Sequence, residues 1–122
     1  MSTALPAIIE EHLAAVNAGD LDALTATFAD DAYFTAQAEA RGIGAVRALL
    51  AREFIDNHVT MDVREVIDHH GDLIVRIKYD GDYDKSSLPD PLIMTSHFSL
   101  RDGKIITLSV IFVAPFDAAR PP

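Results

Sequence analysis

The sequence has no cysteine among its 122 residues. Disulfide bonds, thiolate metal ligands and cysteine nucleophiles are therefore excluded. Because both reducing and oxidising compartments tolerate a chain without cysteine, this absence does not indicate a location.

Basic residues are also scarce, since 10 Lys and Arg stand against 19 Asp and Glu and give a formal net charge of −9. Nucleic-acid binding requires clustered Lys and Arg, and anionic membranes attract basic segments. We therefore predict neither nucleic acid nor a membrane as a partner. The acidic residues are spread over loops rather than gathered in one tail, which is typical of residues that keep a protein soluble.

Long apolar segments are missing as well. No run approaches the ~20 apolar residues that span a bilayer. Residues 1–12 lack a basic segment followed by an apolar run, so we predict a cytoplasmic protein. The length fits one domain over residues 1–122, and 49% hydrophobic residues suffice for a sizeable core.

The first half of the chain shows helical periodicity. Apolar residues at helical spacing predict a helix over residues 5–18, with His12 on the buried stripe. Gly19 suits the left-handed position after a helix end, and Asp20 suits the N-cap of a second helix. This second helix is expected to carry Leu21, Leu24 and Phe28. A short strand over 32–37 and a third helix over 42–57 follow.

The second half of the chain is predicted to be strand. Alternating or continuous apolar residues indicate four strands, over 59–68, 72–80, 92–101 and 104–114. The last two form a hairpin around Asp102-Gly103, a strong signal for a tight turn. The order of helix, helix, strand, helix and four strands predicts an α+β fold.

The last hairpin has two unlike faces. The expected inner face consists of Leu92, Met94, Ser96, Phe98, Leu100, Ile106, Leu108, Val110 and Phe112. The expected outer face consists of Ile93, Thr95, His97, Ser99, Ile105, Thr107, Ser109, Ile111 and Val113. The outer face is an exposed sheet surface rich in β-branched residues, or it is the interface of a symmetric homodimer. We predict the homodimer.

Several segments resemble one family. The run His12–Leu24 followed by Phe28–Ala32 is similar to the opening of bacterial ketosteroid isomerases, and Arg41-Gly42 is similar to the start of their third helix. The motifs Ser96-His97-Phe98 and Asp102–Ile105 resemble their last hairpin. The wider group is the nuclear transport factor 2-like superfamily, which includes SnoaL-like proteins. The resemblance implies a cone-shaped α+β barrel, in which three helices pack against a curved, mostly antiparallel sheet around an apolar pocket.

The resemblance also implies chemistry without a cofactor. Ketosteroid isomerases use a carboxylate base on the first strand, and a Tyr and a protonated Asp that hydrogen-bond the oxyanion. In this sequence the Tyr position falls on His12, the base on Ala36 and the Asp on Ser96. A methyl group cannot accept a proton, so the usual isomerase mechanism is not expected. A shifted alignment would bring Gln37 or Glu39 near the position of the base.

His12 and Ser96 are the candidate catalytic residues. A neutral imidazole can donate with one nitrogen and accept with the other, and its reference pKa of ~6.5 suits proton transfer. Ser96 lies in an otherwise apolar row, where a hydroxyl needs a partner. Together they would activate water or polarise a carbonyl. The alternative is that His12 is an ordinary core histidine and Ser96 a small core residue.

A second set of residues is expected to contact a small hydrophobic ligand. Tyr79 is placed near the rim of the pocket, and Tyr33 is expected to point away from it. The predicted ligand-contacting residues are Val16, Phe28, Phe34, Phe54, Tyr79, Met94, Phe98, Val110 and Phe112. No metal site is expected, because His69 and His70 are adjacent beside Gly71 and fit a turn better than a shared ion.

The sequence is compatible with three functions, and because of the family resemblance we predict the first, with the other two as alternatives. The first is a cofactor-free isomerase, cyclase, dehydratase or epoxide hydrolase that acts on a small hydrophobic molecule. The second is a non-catalytic binding protein for such a molecule, which the missing base at Ala36 favours. The third is a structural homodimer that interacts through the outer sheet face.

Overall fold

The computed structural model describes residues 5–112. The helices are α1 (Ala7–Ala18), α2 (Leu21–Ala26) and α3 (Ile43–Leu50), and a π-helical turn (Ala51–Ile55) continues α3. The strands are β1 (Phe28–Thr35), β2 (Glu39–Arg41), β3 (Thr60–His69), β4 (Asp72–Asp80), β5 (Leu92–Arg101) and β6 (Lys104–Ile111). No helix in this range combines the length and hydrophobicity needed to cross a bilayer.

The six strands form one mixed sheet in the order β2-β1-β6-β5-β4-β3. Only the β1–β6 pairing is parallel among the described strands, and the other four pairings are antiparallel. The three helices pack against this sheet, which confirms the predicted α+β class. Irregular register in the β1–β6, β3–β4 and β5–β6 pairs bends the sheet, because a bulge increases local twist.

The predicted helix ends and tight turn are confirmed. Gly19 has φ 69° and donates to the Val16 carbonyl, and the Asp20 side chain accepts from the Ala23 amide at 3.0 Å. Asp102 and Gly103 both have positive φ, at 52° and 75°. Two positive φ values match the tight hairpin turn that the sequence indicated.

Four local predictions were wrong. Phe28 begins β1 rather than belonging to the second helix, so β1 starts four residues before the predicted strand. The additional strand β2 pairs with β1 as a short hairpin. The third helix gives way to the π-helical turn after Leu50 and does not continue as α-helix to residue 57. The last strand ends at Ile111, and the predicted residues Val113 and 114 lie outside the described range.

A bulge in β6 also reverses one pair of predicted orientations. Ser99 pairs with Thr107 while Leu100 pairs with Ile105, so Ile106 is the extra residue. Ile105 is consequently fully buried, although the strict alternation of the sequence placed it on the outer face. Ile106, predicted to be inward, is only partly buried.

The closed end of the barrel is packed with large apolar side chains around His12. The His12 ring makes edge contacts with Phe28 and Phe98, with ring centroids 5.6 and 5.4 Å away. Phe98 is 1% exposed, and Ile9 and Leu108 are fully buried. Such close packing leaves little free volume in this part of the interior.

Candidate functional site

An open cavity of about 660 Å³ lies at the opposite end of the barrel. We call this region the open end. Its wall is formed by the residues after β1, the π-helical turn, the end of β4, the β4–β5 loop, the start of β5 and the end of β6. Residues from the same end of β1, β6, β5 and β4 therefore line a common space.

Most of the cavity wall consists of aromatic and aliphatic side chains. Phe54 and Tyr79 contact each other edge-on, with ring centroids 6.2 Å apart. Phe112 also lines the cavity and is 47% exposed, which places it at the entrance. Met94 and Val110 complete the inner wall on β5 and β6.

The π-helical turn brings polar groups to the cavity. The Asp56 amide donates to the Ala51 carbonyl at 2.8 Å, a spacing of five residues that widens the turn. Glu53 and Asn57 from this region line the cavity, and both are half-buried. Glu53 is the carboxylate that the π-helical turn contributes to the wall.

The β4–β5 loop is held close to the same turn by a glycine. The Asp82 amide donates to the Asn57 carbonyl at 2.7 Å. A Cβ at Gly81 would lie 2.8 Å from that carbonyl oxygen, so a side chain there would push the loop away. The absence of a side chain at Gly81 therefore allows the loop to present Tyr83 and Asp84 to the cavity.

Tyr79 combines a ring in the cavity wall with a deeply buried hydroxyl. Its Oη is buried and has no hydrogen-bond partner among the described residues. Burial raises the pKa of this hydroxyl, and the nearby Ser96 side chain offsets part of the rise. Ser96 is a neighbour of Tyr79 Oη but does not meet normal hydrogen-bond geometry. The prediction that this hydroxyl lies at the rim was wrong, because the ring carries it inward.

His12 lies behind the cavity rather than in its wall. It is 1% exposed, and its Nδ1 has no hydrogen-bond partner among the described residues. Burial lowers the pKa of His12 to about 3, so the imidazole is neutral at physiological pH. Ser96 is also 1% exposed and does not line the cavity. Its cross-strand partner Val110 does, which places Ser96 next to the inner wall.

The predicted ligand-contacting residues divide into two groups. Those that line the cavity are Phe54, Tyr79, Met94, Val110 and Phe112. Those that are buried in the core instead are Val16, Phe28, Phe34 and Phe98. The catalytic roles of His12 and Ser96 remain predictions.

The position of the isomerase base is part of the cavity wall. Ala36 lines the cavity and its neighbour Gln37 does too. Glu39 lies elsewhere, on β2, where it accepts a hydrogen bond from the Tyr33 hydroxyl at 2.6 Å. The Arg41 guanidinium lies 4.1 Å from the centroid of the Tyr33 ring. Of the two residues near Ala36 that a shifted alignment offered, only Gln37 reaches the cavity.

Sequence reasoning missed five polar residues of the wall, namely Glu53, Asn57, Tyr83, Asp84 and Ser87. The local sequence offered only two signals, Asn57 after the π-helical turn and Gly81 in the β4–β5 loop. Neither indicates that the two segments meet, because the hydrogen bond that joins them links residues 57 and 82. A metal cluster of three or more His, Asp or Glu is absent within residues 5–112. His69 and His70 are exposed at the turn between β3 and β4.

Three helices against a six-stranded mixed sheet, with a cavity at one end of the barrel, define the nuclear transport factor 2-like class. Within this class the chain belongs to the SnoaL-like domain family, whose pattern matches residues 9–108. This confirms the resemblance seen in the sequence. No curated protein matches the chain significantly in sequence.

Solved structures show the same fold. A proposed polyketide cyclase from Sinorhizobium meliloti is 27% identical, with a TM-score of 0.76 over 87% of this chain and 94% of that one. A protein with a ketosteroid isomerase-like fold from Catenulispora acidiphila, in complex with trimethylamine, is 18% identical, with a TM-score of 0.75 over 89% and 87% of the two chains. A Mycobacterium tuberculosis protein in complex with estradiol-17β-hemisuccinate is 14% identical, with a TM-score of 0.70 over 85% and 89%.

Proposed function

We propose that this protein binds a small hydrophobic molecule in the cavity at the open end. The observation that carries this proposal is the cavity of about 660 Å³ with Phe54, Tyr79 and Met94 in its wall. Ligand pockets typically enclose roughly 300–1,000 Å³ and are lined mostly by apolar and aromatic side chains.

The structural neighbours support a ligand-binding role without naming the ligand. The two complexes hold a steroid ester and trimethylamine, which differ greatly in size and charge. Identities of 14% and 18% relate these proteins to this chain by fold alone. Because one fold accommodates such different molecules, the ligand depends on the residues of each cavity.

Binding is tested with a neutral fluorescent probe, N-phenyl-1-naphthylamine, and a variant that fills the cavity. Ala36→Phe places a bulky ring in the wall, so we expect binding at least ~10-fold weaker than in the wild type, a loss of about 1.4 kcal/mol. Ala38→Phe is the matched control, because Ala38 is exposed in the same turn and does not line the cavity.

The two variants also define the result that would contradict binding in the cavity. Equal probe affinity in Ala36→Phe and the wild type, with both folded by circular dichroism, would show that the probe binds elsewhere. No probe binding by the wild type would remove the proposal.

Catalysis without a cofactor, of the isomerase, cyclase, dehydratase or hydrolase type, is the second candidate. Glu53 favours it, because a carboxylate in the wall with Tyr79 supplies the general base that Ala36 cannot. His12 and Ser96 lie behind this wall, and their role stays a prediction. Turnover of a bound ketone that survives Glu53→Gln unchanged would exclude Glu53 as the base.

The outer sheet face supports a further proposal, a symmetric homodimer. On this face Ile111 is 44% exposed, and the partly buried Ile93 lies diagonally across from it on β5, two residues from its partner Thr95. Ile67, which is 42% exposed, lies three strands away on β3. A two-fold axis would let this patch cover itself. A monomer by sedimentation at micromolar concentration would contradict the dimer.

The single domain over residues 1–122 and the cytoplasmic location also stay proposals.

A further inference from the structure

The charged side chains in the cavity wall are all acidic. Glu53 and Asp84 line the cavity, and no Lys, Arg or His among residues 5–112 does. The neighbouring Lys85 forms an ion pair with Asp80 and lines an adjacent groove instead. The cavity therefore presents negative charge to whatever enters it.

Neither of these two carboxylates is neutralised by an ion pair with a described residue. Asp84 accepts a hydrogen bond from the Ser86 amide at 2.9 Å, which holds the pKa of its carboxyl below the ordinary value. Asp84 is thus ionised at neutral pH. An anionic ligand would meet uncompensated repulsion at this entrance.

Aromatic rings line the same space as the carboxylates. Phe54, Tyr79, Tyr83 and Phe112 all contribute to the wall. The face of an aromatic ring attracts a cation through its quadrupole, and quaternary ammonium groups are commonly bound between such rings. The Lys85 ammonium, which is paired with Asp80, lies 5.6 Å from the centroid of the Tyr83 ring, so this ring already has a cation nearby.

The Tyr79 hydroxyl is an independent indication of a polar ligand group. The residue is 8% exposed and its ring is part of the cavity wall, and its oxygen makes no hydrogen bond of normal geometry in the described structure, although the Ser96 side chain is its neighbour. A buried hydroxyl without a hydrogen bond is unfavourable, so a polar ligand atom that reached it would relieve that cost.

We propose that the cavity selects a hydrophobic molecule that carries a positively charged ammonium group. This inference rests on the proposed ligand-binding function and specifies the class of its ligand. The carboxylates of Glu53 and Asp84 and the aromatic wall stabilise the cation, while Met94 and Val110 contact the apolar body. The net charge of −9 also attracts a cation at longer range, before it reaches the cavity.

The test compares three probes that differ in charge. Phenyltrimethylammonium and tert-butylbenzene have nearly the same shape, and benzoate supplies a negative charge. In NMR titrations at low salt, the wild type is expected to bind the cation about 10-fold tighter than its neutral isostere, and benzoate more weakly than either. Added salt should reduce the advantage of the cation.

Two variants locate the source of the selectivity. Glu53→Gln and Asp84→Asn should each weaken binding of the cation about 3- to 10-fold and leave that of the neutral isostere unchanged. Asp56→Asn is the matched control, because it removes one acidic residue beside the π-helical turn and outside the cavity wall.

The outcomes separate this inference from the function on which it rests. Equal or tighter binding of tert-butylbenzene would overturn the inference and leave hydrophobic binding intact. The inference also fails if Glu53→Gln and Asp84→Asn both keep the wild-type preference for the cation. Failure of all three probes and of N-phenyl-1-naphthylamine to bind would instead refute the proposed function itself.

Discussion

The closed and open ends of this barrel are built from the same strands but are packed differently. At the closed end, Phe28 and Phe98 contact the His12 ring and leave it 1% exposed. At the open end, Ala36, Met94 and Val110 border a cavity instead of packing against large side chains of the core. This difference predicts that the closed end contributes mainly to stability and the open end to the proposed binding of a ligand.

The largest effect is expected from removing one phenylalanine at each end of the barrel and comparing the losses of stability. Phe98→Ala should lower the free energy of unfolding by roughly 3–5 kcal/mol, because it leaves a void in a packed core. Phe112→Ala, which removes a half-exposed ring, should cost less than about 1 kcal/mol. Urea denaturation at pH 7 measures both. Equal losses would mean that the two ends do not differ in packing.

A second test uses the pKa of His12, which burial lowers from 6.5 to about 3. The unfolded chain takes up a proton at His12 below pH 6.5 and the folded protein does not, so stability falls as the pH drops from about 6.5 to about 3. At pH 5 this group should cost about 2 kcal/mol of stability relative to pH 8.

Substitution of His12 isolates that contribution from the carboxylates that titrate in the same range. His12→Leu should lose about 2 kcal/mol less than the wild type between pH 8 and pH 5. His97→Gln is the control, because His97 is exposed on the outer face. Parallel pH profiles for His12→Leu and the wild type would show that His12 is accessible to solvent.

The smallest expected effect concerns Tyr79, whose ring belongs to the open end and whose hydroxyl is buried. Tyr79→Phe removes an unpartnered buried oxygen, so the ligand-free protein should become more stable by up to about 1 kcal/mol. Tyr33→Phe should not stabilise it, because the Tyr33 hydroxyl donates to Glu39. Thermal denaturation of both variants tests this prediction. Destabilisation by Tyr79→Phe would indicate that the Tyr79 hydroxyl has a hydrogen-bond partner.

Much of the fold was predictable because its signals are local. Gly19 and Asp20 ended one helix and began the next, as their backbone and side-chain chemistry suggested. Strand β4 was predicted with both of its ends, since its apolar residues alternate regularly. Phe28 was misplaced because one apolar residue after a helical run fits a helix or a strand equally well.

The candidate site was less predictable because it depends on contacts between distant segments. The inward row of β5 and β6 was predicted to contribute, and Met94, Val110 and Phe112 do line the cavity. Glu53 and Asp84 were not singled out, since nothing local in the sequence brings residues 31 positions apart to one wall.

The sequence alone determined the α+β class, the order of most elements and the inward position of His12, because periodicity and capping act between residues close in the chain. Only the tertiary structure decided that the bulge at Ile106 buries Ile105, and that His12 lies behind the cavity while Glu53 faces it. These features follow from packing between segments far apart in sequence, which local patterns do not encode.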